Sequence, residues 1–151
     1  MPEAISEFEQ AIRLARESGN QQVKCGTLGN LGWLYQQIGQ PEKALDHYLA
    51  AAAATRPGRT IYQDGLLQAN LASLYLELGR FEDAVATATI AISLNEESGS
   101  RVEQANAHRS LGDALTATGR SDEARSQWRA ALAIYRDLGD PQADEVAAKL
   151  A

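Results

Sequence analysis

Apolar residues along this chain recur at spacings of three and four. Leu28, Leu31, Leu34, Tyr35 and Ile38 form one stripe, and Leu71, Leu74, Tyr75 and Leu78 form its counterpart. Such spacing is the signature of a helix with one buried face. Strand-like alternation appears nowhere. The pattern predicts an all-α chain with helices over 3–18, 20–38, 41–56, 60–78, 81–97, 100–118, 121–138 and 141–150.

The breaks between stripes are chemically explicit. Gly39-Gln40-Pro41-Glu42, Gly79-Arg80-Phe81-Glu82 and Gly119-Arg120-Ser121-Asp122 read as tight helix–helix turns, with each glycine free to turn left-handed past a helix end. Pro41 suits a first helical turn, where its missing N–H costs nothing. A second class of break is Ser18-Gly19-Asn20, Arg56-Pro57-Gly58, Ser98-Gly99-Ser100 and Gly139-Asp140-Pro141. Ser100 with Glu103, and Thr60 with Gln63, have capping-box spacing. Asp140 before Pro141 is a good helix start.

These segments repeat every 40 residues: Ala4, Ala44, Ala84 and Ala124 are in register, as are Ala11, Ala51, Ala91 and Ala131. Between them stand Phe8, Tyr48, Ala88 and Trp128. Leu31, Leu71 and Leu111 keep the same step, followed by Gly32, Ala72 and Gly112. Repeats of this length build stacked architectures in which no unit buries its apolar face alone. Each unit is read as a helical hairpin. Small residues let its two backbones approach, while Tyr35, Tyr75 and Leu115 fill the space between hairpins. Ala88 departs from the large-residue rule, and Ile90 or Leu94 is expected to fill its volume. The whole chain, 1–151, reads as one repeat domain: a lone second helix over 3–19, repeats over 20–58, 59–99 and 100–140, and a terminal capping helix over 141–151. The first helix matches the repeat pattern too closely for a natural cap, so the expectation is a segment of a longer array.

Composition narrows the function. The net charge is −6, with no cluster of Lys and Arg that could displace counterions from a nucleic acid or grip an anionic membrane. No apolar run approaches the ~20 residues of a membrane span, and Met1-Pro2-Glu3 begins no signal peptide. The lone Cys25 fits a reducing, cytoplasmic setting. No nucleophile–base pair, acid–base dyad or phosphate-binding glycine loop is present, so the chain reads as a non-enzyme. No His/Cys/Asp cluster has metal-ligand spacing, and no cofactor is expected. Trp128 at a core position reads as packing, and Cys25 as an inert thiol.

The repeated positions resemble the tetratricopeptide repeat. The first copy reads Leu28, Leu31-Gly32, Tyr35, then Ala44, Tyr48, Ala51. The second reads Gln68, Leu71-Ala72, Tyr75, then Ala84, Ala88, Ala91, and the third His108, Leu111-Gly112, Leu115, then Ala124, Trp128, Ala131. The usual repeat has 34 residues, and the longer step is similar to a variant with extended helices. The stretch from Gly119 to Pro141 resembles the C-terminal region of actinobacterial ATPase-type transcriptional regulators.

The resemblance implies a right-handed superhelix of antiparallel hairpins, about eight helices in all, whose concave groove holds a peptide or partner helix. The groove positions carry over to Asn30, Trp33 and Gln37, to Asn70, Ser73 and Glu77, and to Asn106, Arg109 and Asp113. Asparagine amides can clamp a peptide backbone through both a donor and an acceptor; Ser110 replaces that asparagine in the third copy. Chaperone-tail binders of the family have a lysine and an asparagine where this chain has Gly29 and Trp33, and a basic pair where it has Asn106 and Ser110. The expected role is a protein- or peptide-binding scaffold within a larger regulatory or assembly protein. The alternative is a structural array that self-associates through its exposed end helices, because Ile5, Phe8, Ile12 and Leu14 need cover on more than one side.

Overall fold

The computed structural model describes residues 2–54 and 59–151, with only the backbone described at Gln21 and Gln22. Among the described residues there are eight helices and no strand: α1 (Pro2–Glu17), α2 (Gln21–Gln37), α3 (Pro41–Ala53), α4 (Ile61–Glu77), α5 (Phe81–Ser98), α6 (Arg101–Ala117), α7 (Ser121–Leu138) and α8 (Gln142–Leu150). Two compact units divide them, 1–60 and 61–151. The expected Arg56-Pro57-Gly58 break and the last residues of the expected helix 41–56 lie outside the described residues. α3 ends earlier, at Ala53, with Ala54 already extended.

The helix ends follow one device. Gly19, Gly39, Gly79, Gly99, Gly119 and Gly139 all have φ between 66° and 78°. At each, the next residue's N–H reaches back to a carbonyl five positions earlier, as from Gln40 to Tyr35 (2.9 Å) and from Arg120 to Leu115 (2.8 Å). This ends each helix with its last carbonyls satisfied. Both classes of break use the same closure, so the glycines mark steps of 20 residues, with Arg59 at the place where one is missing.

Helix starts are less uniform. Asn20 caps α2 by accepting from the Val23 N–H (3.1 Å), and Asp140 accepts from the Gln142 N–H (2.9 Å). The capping box expected at Ser100 and Glu103 does not form. Ser100 Oγ accepts from Ser98 Oγ (3.0 Å), and Glu103 Oε2 accepts from Asn106 Nδ2 (3.3 Å). Each side chain has found a partner outside the box.

In unit 1, α2 packs on both α1 and α3. Leu28, Leu31, Leu34 and Tyr35 are buried along it, as are Ala44, Tyr48 and Ala51 on α3. Tyr35 stacks on His47 of its own hairpin, ring centroids 5.1 Å apart, rather than serving only the space between hairpins.

In unit 2, successive helices pack in order from α4 to α8, and α4 also lies beside α6. Ala72, Ala88, Leu111, Leu115, Trp128, Tyr135 and Val146 share one core cluster. Of the two residues expected to fill the volume at Ala88, Ile90 is 48% exposed and Leu94 is half-buried. The facing helix differs at this copy as well. At Gly32 an added Cβ would meet the Tyr48 ring at 2.5 Å, and at Gly112 it would overlap the Trp128 indole. The second copy has Ala72 at that position, so a methyl group faces the smaller Ala88 and the hairpin stays filled.

Candidate binding face

The first helix of each hairpin has two faces, and the expected site residues lie off the buried one. In unit 1, Asn30, Trp33 and Gln37 sit three and four apart on α2, which aligns them along the helix. All three are exposed, and Trp33 keeps 51% of its surface in solvent. A large aromatic left this open, between two amides, can bury apolar area against a partner while the amides bond its backbone.

In unit 2, Asn70 and Ser73 on α4 are half-buried and Glu77 is exposed. The expected residues on α6 are engaged within the unit. Tyr135 Oη donates to Asn106 Oδ1 at 2.6 Å. Arg109 Nη1 donates to Gln142 Oε1 at 2.7 Å and lies 3.8 Å from Glu145 Oε2. Asp113 Oδ1 accepts from Trp128 Nε1 (3.0 Å) and from Lys149 Nζ (2.9 Å). Burial pushes the Tyr135 phenol up to about 12, against the pull of the Arg109 charge. The phenol therefore stays a neutral donor to Asn106. This face of α6 is tied to α7 and α8.

The repeat register explains part of the contrast. Asn30 and Asn70 match Ser110, which is buried, whereas Asn106 matches Gly26 and Leu66 one turn earlier. Of the three α6 residues, Asp113 alone shares a position with Trp33 and Ser73. Tyr62 and Val102 escaped the sequence reading. They stand 40 residues apart at the same register on neighbouring α4 and α6, 47% and 43% exposed. Their common spacing was the available signal. Arg59 was also missed as a neighbour of Cys25: its Nη1 lies 3.6 Å from Sγ and donates to Ala51 O at 2.7 Å, while Sγ donates to the same carbonyl at 3.2 Å. Among the described residues, no His/Cys/Asp/Glu group could hold a metal ion, and no helix is long and apolar enough to cross a membrane.

A repeated helical hairpin with Leu-Gly on one helix and Ala-aromatic-Ala on the other defines a class of helical repeat scaffolds. A tetratricopeptide repeat family model matches residues 1–56 and 65–137, and a second matches 30–84. The chain belongs to the tetratricopeptide repeat family.

The 43 kDa receptor-associated protein of the synapse from Gallus gallus is 30% identical over 133 residues, covering 82% of this chain and 32% of that protein. The chain thus spans about a third of that relative's length. Among solved structures, BtubC (BKLC) from P. vanneervenii is similar with a TM-score of 0.73 and 18% identity, covering 96% of this chain and 62% of that one. The N-terminal domain of stress-induced protein-1 (STI-1) from C. elegans gives 0.65 and 21%, covering 87% and 97%. The second TPR of Spaghetti (RPAP3), bound to the HSP90 peptide SRMEEVD, gives 0.64 and 25%, covering 79% and 98%.

Proposed function

We propose that this chain is a protein-binding scaffold module, non-catalytic and cytoplasmic, that recognises a partner segment on the exposed faces of its first-type helices. The observation that carries this reading is the stripe Asn30, Trp33, Gln37 on α2, with its half-exposed indole. Asn70, Ser73 and Glu77 on α4 offer a second such face. Asn106, Arg109 and Asp113 belong to the proposed site as residues whose present partners a ligand must displace or join. The peptide-bound Spaghetti domain supports peptide recognition by this fold. An acidic peptide of that kind is a poor fit, because Gly29, Asn106 and Ser110 stand where the basic residues of chaperone-tail binders would be, and Trp33 where their asparagine would be. The finer reading, a C-terminal sensor region of an ATPase-type regulator, rests on the Gly119–Pro141 stretch.

The test is affinity capture from lysate with this chain and with an Asn30→Ala, Trp33→Ala variant of equal melting temperature. Trp33 is exposed, so its loss leaves the core intact. A partner held by the parent and lost by the variant supports the proposed face. Equal recovery by both places recognition elsewhere.

A further inference from the structure

We infer that the partner segment is basic, and that it seats a large apolar residue against Tyr62 and Val102 at the starts of α4 and α6. This rests on the reading that the first-type helices hold a partner segment, and it adds the chemistry of that segment. Tyr62, Leu66, Asn70, Ser73 and Glu77 follow one another on α4 at steps of four, four, three and four, and Val102, Asn106, Arg109 and Asp113 on α6 at steps of four, three and four. Such steps keep each set on one helix face. Tyr62 and Val102 therefore extend the expected faces towards the helix starts.

Their exposure does not come from an open end of the chain. α6 packs on α4, α5 and α7, and α4 packs on α5 and α6. Both side chains nevertheless stay exposed. One such residue would be ordinary on any surface, but two at the same register on neighbouring helices make a patch that a partner can cover.

Charge selects that partner. Residues 1–60 carry six acidic and six basic side chains, whereas residues 61–151 carry fourteen and eight. The whole net charge of −6 thus belongs to unit 2. Its first-type helices α4, α6 and α8 hold six acidic residues and three basic ones. Each of those basic residues is already engaged: Arg101 with Asp137 (2.9 Å), Arg109 with Gln142 (2.7 Å) and Lys149 with Asp113 (2.9 Å). One turn beyond Val102, Asn106 accepts the Tyr135 phenol. Glu103, Asp140 and Glu145 all act on that phenol, against the one guanidinium of Arg109. An incoming lysine or arginine is drawn to these carboxylates, and an incoming carboxylate is repelled. Two copies of unit 2 repel each other for the same reason, which disfavours a second copy of this chain as the occupant.

The probes are two fluorescein-labelled, end-blocked peptides, KSKLFKSK and its acidic counterpart ESELFESE. Titrated with the full chain, KSKLFKSK gives a saturable anisotropy change with a Kd tighter than about 1 mM, and ESELFESE binds about tenfold or more weakly. Tyr62→Ser with Val102→Ser, both at exposed positions, weakens KSKLFKSK by about tenfold. Glu103→Gln with Asp140→Asn keeps the hydrogen-bond acceptors and weakens it by about threefold. Glu96→Gln with Glu97→Gln removes the same charge from exposed positions on α5 and leaves binding unchanged. An equal loss in that α5 variant reduces the effect to general attraction and overturns the inference, as does full binding by the Tyr62, Val102 variant. Tight binding of ESELFESE overturns the basic assignment alone, because a partner segment is then still held. Absence of saturation with either probe overturns the inference and leaves the lysate capture to decide the reading beneath it.

Discussion

The Trp128 indole occupies the space that a side chain at Gly112 would need, and its Nε1 donates to the adjacent Asp113 at 3.0 Å. One residue therefore admits the ring and the next one orients it. Gly112→Ala should destabilise the chain by about 1–3 kcal/mol through overpacking, despite alanine's better helix propensity. Urea unfolding monitored by Trp128 fluorescence checks this; a variant as stable as the parent would show that the ring can move aside at no cost.

Gly32 and Tyr48 make the same lock in the first repeat, and Ala72 with Ala88 shows a second solution. Tyr48→Ala alone should cost about 3–5 kcal/mol, because it opens a cavity at a fully buried site. Adding Gly32→Ala recreates the alanine pair of the second repeat. The double variant should be less damaged than the sum of the two single variants, by about 1–2 kcal/mol. A double-mutant cycle measures that coupling, and strict additivity would refute the pairing.

His47 lies flat against Tyr35, and burial holds its imidazole below the ordinary 6.5, against the opposing pull of Asp46 and Glu9. The folded chain thus prefers the neutral ring more than the unfolded chain does. The associated stability is fully present above pH 6.5 and is lost as pH falls from there through the lowered value. Melting temperatures across this range should drop more steeply for the parent than for His47→Gln. Parallel curves would remove His47 from the account.

Tyr135 acts at the other end of the scale. Its phenol is raised to about 12, chiefly by burial. The folded state holds this proton more tightly than the unfolded state, so stability should fall as pH rises from 10 towards 12. Tyr135→Phe removes that slope. It also leaves Asn106 Oδ1 without its 2.6 Å donor, at a cost of about 1–2 kcal/mol near neutral pH. Denaturant midpoints at neutral and alkaline pH separate the two effects.

Lys149 and Trp128 share Asp113 Oδ1 as acceptor, but they should not matter equally. The Lys149–Asp113 pair is about a third exposed, so Lys149→Ala should cost less than about 1 kcal/mol. Asp113→Ala also strips the indole N–H, and should cost about 1–3 kcal/mol. Equal costs for the two variants would mean that the ion pair, not the indole, sets the value of Asp113.

The hairpins were legible because their causes are local. Leu-Gly-x-x-Tyr and Ala-x-x-x-Tyr-x-x-Ala fix a buried stripe by helical spacing alone, and Gly39 or Gly119 needs only its own backbone to close a turn. The candidate face on α2 came from the family resemblance rather than from spacing, and its Asn30, Trp33 and Gln37 are all exposed on one helix. On α6 the candidate residues have partners that the sequence did not indicate. Asn106, Arg109 and Asp113 meet Tyr135, Gln142 and Lys149, which lie 29, 33 and 36 residues away. Those partners come from packing that a one-dimensional pattern does not encode. Ala88 shows the same limit: Ala72, on the facing helix, shares its core cluster, whereas of the two expected neighbours Ile90 is exposed and Leu94 half-buried. Ser100 and Glu103 had the right spacing for a cap, but Ser98 and Asn106 competed for them and won.

The glycine closures every 20 residues work as a ruler. Removing one residue inside α5 would turn everything beyond the cut by about 100° relative to what precedes it, and the alanine positions would no longer meet their facing helix. Removing 40 would leave every remaining contact type intact. Such a chain tolerates the gain or loss of whole blocks far better than the gain or loss of single residues. The whole hairpin is therefore the natural unit of gain or loss, and an added residue disturbs the packing least at the turns that Gly39, Gly79 and Gly119 close.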